Sequence, residues 1–365
     1  MPTKRLPARP DLEHLRNQGK DLFADLRAHK LDALQRIREF HPRFHSASDA
    51  KIAAAAFKLS DAYLAIAREY GFASWARLRR QLDASERRKL DLPLVERIDD
   101  ATFREAVHLL DDGDVDGLRA HLRSHPDIVR RRVRFEGGNY FGEPALLEFV
   151  AENPIRHEAM PPNAVDVARL ILDAGAKEDR RIVDSTLTLV CSGRVPRECG
   201  LQVPLANLLC DYGADPNAGM TSALVHGEFD AVEAMIRRGA PIDLPVAAAL
   251  GRVEDARRAL ASANAEQRHY ALALAAQFGH AEVVRMLLDA GEDPDRYNPL
   301  LCHSHSTPLH QAAVAGHEAV VRLLVERGAR LDIRDIWHDG TPLGWAEYAG
   351  RRDIAAYLRA HGAKP

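Results

Sequence analysis

His305-Ser306-Thr307-Pro308-Leu309-His310-Gln311-Ala312-Ala313-Val314-Ala315-Gly316-His317, continuing to Val320-Val321-Arg322-Leu323-Leu324 and Gly328-Ala329, reads as two short helices with their stop signals. Pro308 suits a first helical position, because its ring fixes φ and its missing N–H would be unpaired there anyway. Thr307 precedes it, where a hydroxyl caps free backbone N–H groups. Leu309, Ala312 and Ala313 follow at helical spacing, and their small neighbours permit close helix packing. Gly316 suits the left-handed conformation that ends a helix, and Gly328 ends the second. Such a hairpin has an apolar face that it cannot bury alone, so it needs copies of itself as neighbours.

The copies are present. Gly340-Thr341-Pro342-Leu343 repeats the start 34 residues after Thr307 and leads to Gly350, Ile354, Leu358 and Gly362. Upstream, Ala275-Ala276-Gln277-Phe278-Gly279-His280 leads to Val283-Val284-Arg285-Met286-Leu287-Leu288 and Gly291. The two glycines stand 12 residues apart each time (279 and 291, 316 and 328, 350 and 362), as do Gly227 and Gly239.

On these residues the chain resembles the ankyrin-repeat family, whose pattern is Thr-Pro-Leu-His-x-Ala, then Gly-His and a Val-Val-x-Leu-Leu helix. The resemblance is strong at 305–330, good at 270–294 and 339–363, and worn elsewhere. It implies an all-α solenoid of stacked helix pairs with loop or β-hairpin fingers over residues 101–365, about eight pairs in all. Insertions are expected at 130–143, 153–163, 192–203 and 295–306. It also implies that His310 fixes its turn by hydrogen bonds, and that His280 and His317, each after a glycine, are structural.

With 365 residues the chain exceeds what one compact core usually supports, and a solenoid removes that limit. No apolar run approaches the roughly 20 residues that span a membrane. Met1-Pro2-Thr3-Lys4-Arg5 is not followed by an apolar stretch of secretory type. Cys191, Cys199, Cys210 and Cys302 form no Cys-x-x-Cys pair and read as reduced thiols of a cytoplasmic protein. The expectation is a monomeric protein of bacterial type.

Residues 1–10 hold three prolines and should be extended; residues 11–92 form an N-terminal helical cap. Asp11 is a candidate N-cap, with helices over 12–26, 31–40 and 49–70, the last broken where Ser60 caps, and then a helix after Ser74. Aligning Gly71 with Gly316 also aligns Leu64 with Leu309, Ala67 with Ala312 and Leu78 with Leu323, so 62–82 looks like a worn hairpin of the same kind. The same residues also fit a helix-turn-helix, with arginines on the second helix. Residues 1–92 hold 19 Lys/Arg against 12 Asp/Glu, and the remainder holds 31 against 41. Nucleic-acid binding through 60–90 is therefore the alternative to a cap.

No Gly-rich phosphate loop, His-Glu-x-x-His, Gly-x-Ser-x-Gly or EF-hand loop occurs, so neither an enzyme nor a cofactor is expected. Cys302-His303-Ser304-His305 carries zinc-ligand types at a spacing that fits no closed four-ligand site and reads as a polar loop tip. The resemblance implies instead a protein partner held by fingers and inner helices. Tyr, Trp and Arg dominate interface energies, often at about 2 kcal/mol or more each. The expected contact residues are Arg134, Asn139, Tyr140 and Phe141 in one finger, Tyr297, His303 and His305 in a second, and Trp337 and His338 in a third. Phe141 and Tyr140 could instead cover helix edges, and Trp345 is expected to pack. A small-molecule or enzymatic site under the inserted loops is the remaining alternative.

Overall fold

The computed structural model describes residue 4 and residues 12–45, 47–90, 92–135, 141–300 and 302–364, with side chains described outside 83–90. The chain divides into two compact units, Met1–Arg97 and Ile98–Pro365.

The first unit contains α1 (Leu12–Arg27), α2 (Leu31–Phe40), α3 (Asp49–Ala53), α4 (Leu59–Glu69) and α5 (Trp75–Leu90). Leu15, Leu22, Leu26, Ile37, Ile52, Ile66 and Leu78 close its core. Its helix breaks differ from the sequence reading. Ser48 caps α3, which stops at Ala53, and Ser60 lies inside α4, whose start is held by the Asp61 carboxylate accepting from the Lys58 N–H at 2.8 Å. Ser74 does cap α5, accepting from the Arg77 N–H at 3.3 Å. Asp11 lies outside the described residues. Glu69 is almost fully buried and is held by Lys4 at 2.7 Å and Arg36 at 2.6 Å.

The second unit contains α6 (Ala101–Asp111), α7 (Val115–Ser124), α8 (Ala164–Asp173), α9 (Arg180–Cys191), α10 (Arg194–Glu198), α11 (Gln202–Asp211), α12 (Pro216–His226), α13 (Phe229–Arg237), α14 (Leu244–Ala249) and α15 (Val253–Leu260), then α16 (Ala265–Gln277), α17 (Ala281–Asp289), α18 (Pro308–Ala315), α19 (Glu318–Glu326), α20 (Pro342–Tyr348) and α21 (Arg352–Ala360). From α12 onward these are consecutive helix pairs; α12 packs on α9, and from α14 onward each first helix packs on the first helix of the next pair. Earlier pairs are irregular. Leu146–Ala151 is a 3-10 segment that stands where a first helix would, packed on α8 and α9. Within the stretch 192–203, the short helix α10 spans Arg194–Glu198 and α11 begins at Gln202. The described residues form no named strand; an isolated antiparallel bridge joins Arg132 and Ala145. No helix of the described residues is long and apolar enough to cross a membrane.

The alanine-rich first helices account for the close stacking. Ala247, Ala248, Ala271, Ala275, Ala312 and Ala313 are all fully buried in one continuous cluster with Leu272, Leu309 and Leu343. A second tie joins successive pairs. His280 Nε2 lies 2.9 Å from the Ala249 carbonyl and His317 Nε2 2.9 Å from the Gln277 carbonyl, and the Arg351 Nε–H donates to the Val314 carbonyl at 3.0 Å. The same side chains lie over the glycine that ends the preceding pair's first helix. A Cβ added at Gly279 would sit 2.5 Å from His317 Nδ1.

Candidate functional site

The two loops that follow α17 and α19 lean on each other. The Arg330 N–H donates to Asp295 at 2.8 Å, the Tyr297 hydroxyl to the Arg334 carbonyl at 2.6 Å, and the Ile336 N–H to the His305 carbonyl at 2.8 Å. Each loop is also closed on itself, by the Asn298 N–H to the Ser306 carbonyl and the Asp335 N–H to the Gly340 carbonyl, both at 2.8 Å. These bonds make two fingers into one surface.

Its anchor is Asp335, which is buried and accepts the N–H groups of Trp337 at 3.0 Å, His338 at 2.8 Å and Gly340 at 2.9 Å, together with Trp345 Nε1–H at 3.0 Å. Burial pushes the Asp335 carboxyl up, but these donors outweigh it and hold the group well below the usual carboxylate range. His310 ties the finger to the helices below. Its Nδ1 lies 2.8 Å from the Thr307 hydroxyl and its Nε2 3.1 Å from the Gly340 carbonyl, and burial pushes its pKa down to about 4.

On this frame stand exposed apolar side chains. Of the large hydrophobics that are exposed, Tyr297, Leu300, Ile336 and Trp337 all lie in these two fingers, Leu300 at 82% and Trp337 at 69% exposure. The Trp337 ring is stacked on His305 with centroids 3.8 Å apart and 9° between planes. A rigid aromatic held out by its neighbours loses little freedom on binding, and such residues anchor protein interfaces.

Of the residues singled out in the sequence, Tyr297, His303, Trp337 and His338 are exposed in this surface; His305 is not. It is buried beneath Trp337 and positions that ring rather than meeting a partner. Cys302 is buried as well, its thiol pushed up to about 12 by desolvation. Trp345 is half-buried and donates to Asp335, a packing role. The finger at 130–143 is a separate feature. Arg134 is exposed there, but Phe141 is buried, packed edge-to-face on Phe135 at 5.4 Å and Phe149 at 5.2 Å, so it belongs to the core and not to a contact surface. Asn139 and Tyr140 lie outside the described residues. The inserted loop 153–163 is tied down: Arg156 is buried, bonded to Asp111 at 2.5 Å and Glu152 at 3.0 Å.

Sequence reasoning missed Asp335, Leu300, His269 and Tyr270. The last two interrupt the otherwise alanine- and leucine-rich α16, and a polar pair on a helix that must pack on both sides was the available signal. They line a cavity of about 650 Å³ at the foot of the first finger, between α12, α14 and α16.

A family profile described as ankyrin repeats (3 copies) matches residues 244–335 and 272–365. Over 121 residues the chain is 38% identical to cyclin-dependent kinase inhibitor 2A of Homo sapiens, covering 32% of this chain and 75% of that protein. It is 36% identical over 130 residues to cyclin-dependent kinase 4 inhibitor B of Rattus norvegicus, covering 34% and 97%. It is 39% identical over 98 residues to ankyrin repeat and SAM domain-containing protein 6 of Mus musculus, but this is 27% of the chain and only 11% of that protein's length. All three are mammalian and lend nothing to the expected bacterial type.

Proposed function

This chain belongs to the ankyrin-repeat family, and from that premise we propose that it is a non-catalytic scaffold that binds another protein through the paired fingers at 293–306 and 330–340 and the first helices beneath them. The observation that carries this reading is the clustering of exposed Tyr297, Leu300, Ile336 and Trp337 on loops braced by Asp335 and by three hydrogen bonds between the fingers. A braced apolar surface rimmed by polar groups has the composition of an interface centre. The partner docks without ordering the loops first, so little conformational entropy opposes binding.

The reading places the protein in the cytoplasm as a monomer, in keeping with four thiols that carry no disulfide. Two relatives are named as inhibitors of cyclin-dependent kinases, so kinase domains belong in the first panel of candidate partners.

The test is proximity labelling in cells with the wild-type chain and with Trp337→Ala/Leu300→Ser. A partner of this surface is enriched with the wild type and lost with the variant, and once purified it binds the variant at least roughly tenfold more weakly, about 1.4 kcal/mol. Equal recovery of every partner by a variant whose circular dichroism is unchanged refutes the reading.

A further inference from the structure

Helix α5 has no part in the finger surface, and its charge is unbalanced. It packs on α4, with Trp75 stacked on Tyr63 and Leu78 and Leu82 buried in the core of the first unit. Arg77, Arg79, Arg80 and Gln81 stand on its other faces, all exposed. Over Trp75–Leu90 the sequence holds Arg77, Arg79, Arg80, Arg87, Arg88 and Lys89 against only Asp83 and Glu86. The first two turns contain no carboxylate.

Arg77, Arg79 and Arg80 make no ion pair among the described residues. Arginines on the helices of the array commonly do, with a carboxylate three or four residues away. Arg257 pairs with Glu254 at 2.6 Å, Arg285 with Glu282 at 3.4 Å and Arg322 with Glu318 at 2.6 Å. Nor do the acids of the first unit serve α5. Asp25 holds Lys30, Asp49 holds Arg38, Asp61 holds His41, and Glu69 holds Lys4 and Arg36. Positive side chains in the first turns of a helix also oppose its dipole, so this placement does not serve the helix itself. Bare, unfavourably placed arginines on one face, in a segment of 92 residues with 19 Lys/Arg against 12 Asp/Glu, complement an anion of extended shape.

Among such anions duplex DNA fits best. A helix with its side chains is about 10–12 Å across, and the major groove of B-form DNA is about 12 Å wide. The major groove of an RNA duplex is too deep and narrow to admit it. Single strands are held on free aromatic platforms, whereas Trp75 and Tyr63 are stacked on each other with centroids 4.6 Å apart and 19° between planes. An anionic membrane takes helices that present large apolar groups, and none of the described side chains of α5 is an exposed large hydrophobic.

We propose that the first unit binds double-stranded DNA, with α5 lying in the major groove and Arg77, Arg79 and Arg80 neutralising the phosphates beside it. This is a second activity, separate from the protein-binding fingers.

The test uses the full chain and a fluorescein-labelled DNA duplex of arbitrary sequence, followed by fluorescence anisotropy. Saturable binding at about 50 mM salt is expected, and log K should fall with log salt at a slope of about −2.7 or steeper, the value for three neutralised phosphates. Arg77→Ala/Arg79→Ala/Arg80→Ala should weaken binding by at least roughly tenfold and make the slope shallower by about 2.7, with circular dichroism unchanged. A glutamine set gives the same comparison should the alanine set lose helix. Replacing all three by lysine should keep affinity within roughly threefold, because phosphates read charge. Arg257→Ala/Arg258→Ala, on the array, should leave it within roughly twofold, since salt screens distant charges. No binding at about 50 mM salt, wild-type binding by both neutral sets, or an equal loss in the array variant overturns the proposal. Tighter capture of a single strand of the same length, of polyglutamate or of phosphatidylserine vesicles also overturns it, and assigns the face to single-stranded nucleic acid, an acidic protein or a membrane.

Discussion

Asp335 accepts four N–H groups from a buried position, and its stability consequence has a definite sign. Its folded pKa is depressed, so its contribution is complete above the unfolded value of about 3.9 and is lost as pH falls through the folded value. Asp335→Asn should cost about 2–4 kcal/mol at neutral pH, because an amide cannot accept at both positions, and should flatten the acid limb of stability against pH. Urea unfolding across pH checks both. His310 acts in the same direction from the opposite charge type. Its neutral form is buried and its folded pKa is about 4 against an unfolded value near 6.5. Protonation therefore favours the unfolded chain, and stability is full above the unfolded pKa. It falls by up to about 1.4 kcal/mol per pH unit between the two values. His310→Gln should remove that slope; an unchanged slope shows that another group titrates.

At the scale of the element, the seam between consecutive pairs is set by a glycine and the ring that covers it. Gly279 has φ +81° and lies under His317, whereas Gly291 has φ +88° and nothing within 4 Å of an added Cβ. Gly291→Ala should cost about 1 kcal/mol, the price of a left-handed alanine. Gly279→Ala should cost clearly more, because it also displaces His317 from the Gln277 carbonyl. Thermal unfolding of the two variants side by side tests this, and equal losses would mean that the ring moves freely. The same scale shows where sequence reading succeeds. Helices α16 to α21 carry paired glycines, and two of the three first helices have Pro at their start, signals that act locally and survive without tertiary context. The 3-10 segment at Leu146–Ala151 lacks the paired glycines and packs on α8 and α9, while α10 has left-handed Gly200 after it but is only five residues long. Phe141 was misplaced for a related reason. An aromatic in a glycine-rich finger looks exposed until Phe135 and Phe149 are seen to enclose it. The fingers' exposed tryptophan was legible; the buried aspartate that holds it was not, since nothing in Arg-Asp-Ile-Trp-His-Asp says which carboxylate turns inward.

For the whole molecule, the two units close separate hydrophobic clusters. In repeat arrays each pair contacts only its neighbours, so a defect stays local. Ile66→Ala, at a fully buried site of the first unit, should cost about 2–5 kcal/mol there. Hydrogen exchange of α16 to α19 should remain at wild-type rates; acceleration there would show one cooperative block instead. The ring that covers each preceding glycine has a further consequence, for how such a chain is inherited. A crossover that inserted or removed one hairpin would seat rings on glycines and carbonyls that they had not packed against before. Recombination that breaks inside the fingers carries each ring along with its own hairpin, but the carbonyl and glycine that it meets then belong to a stranger. The heritable module is the junction, and lineages that shuffle hairpins must keep histidine or arginine after each such glycine wherever a join is to hold.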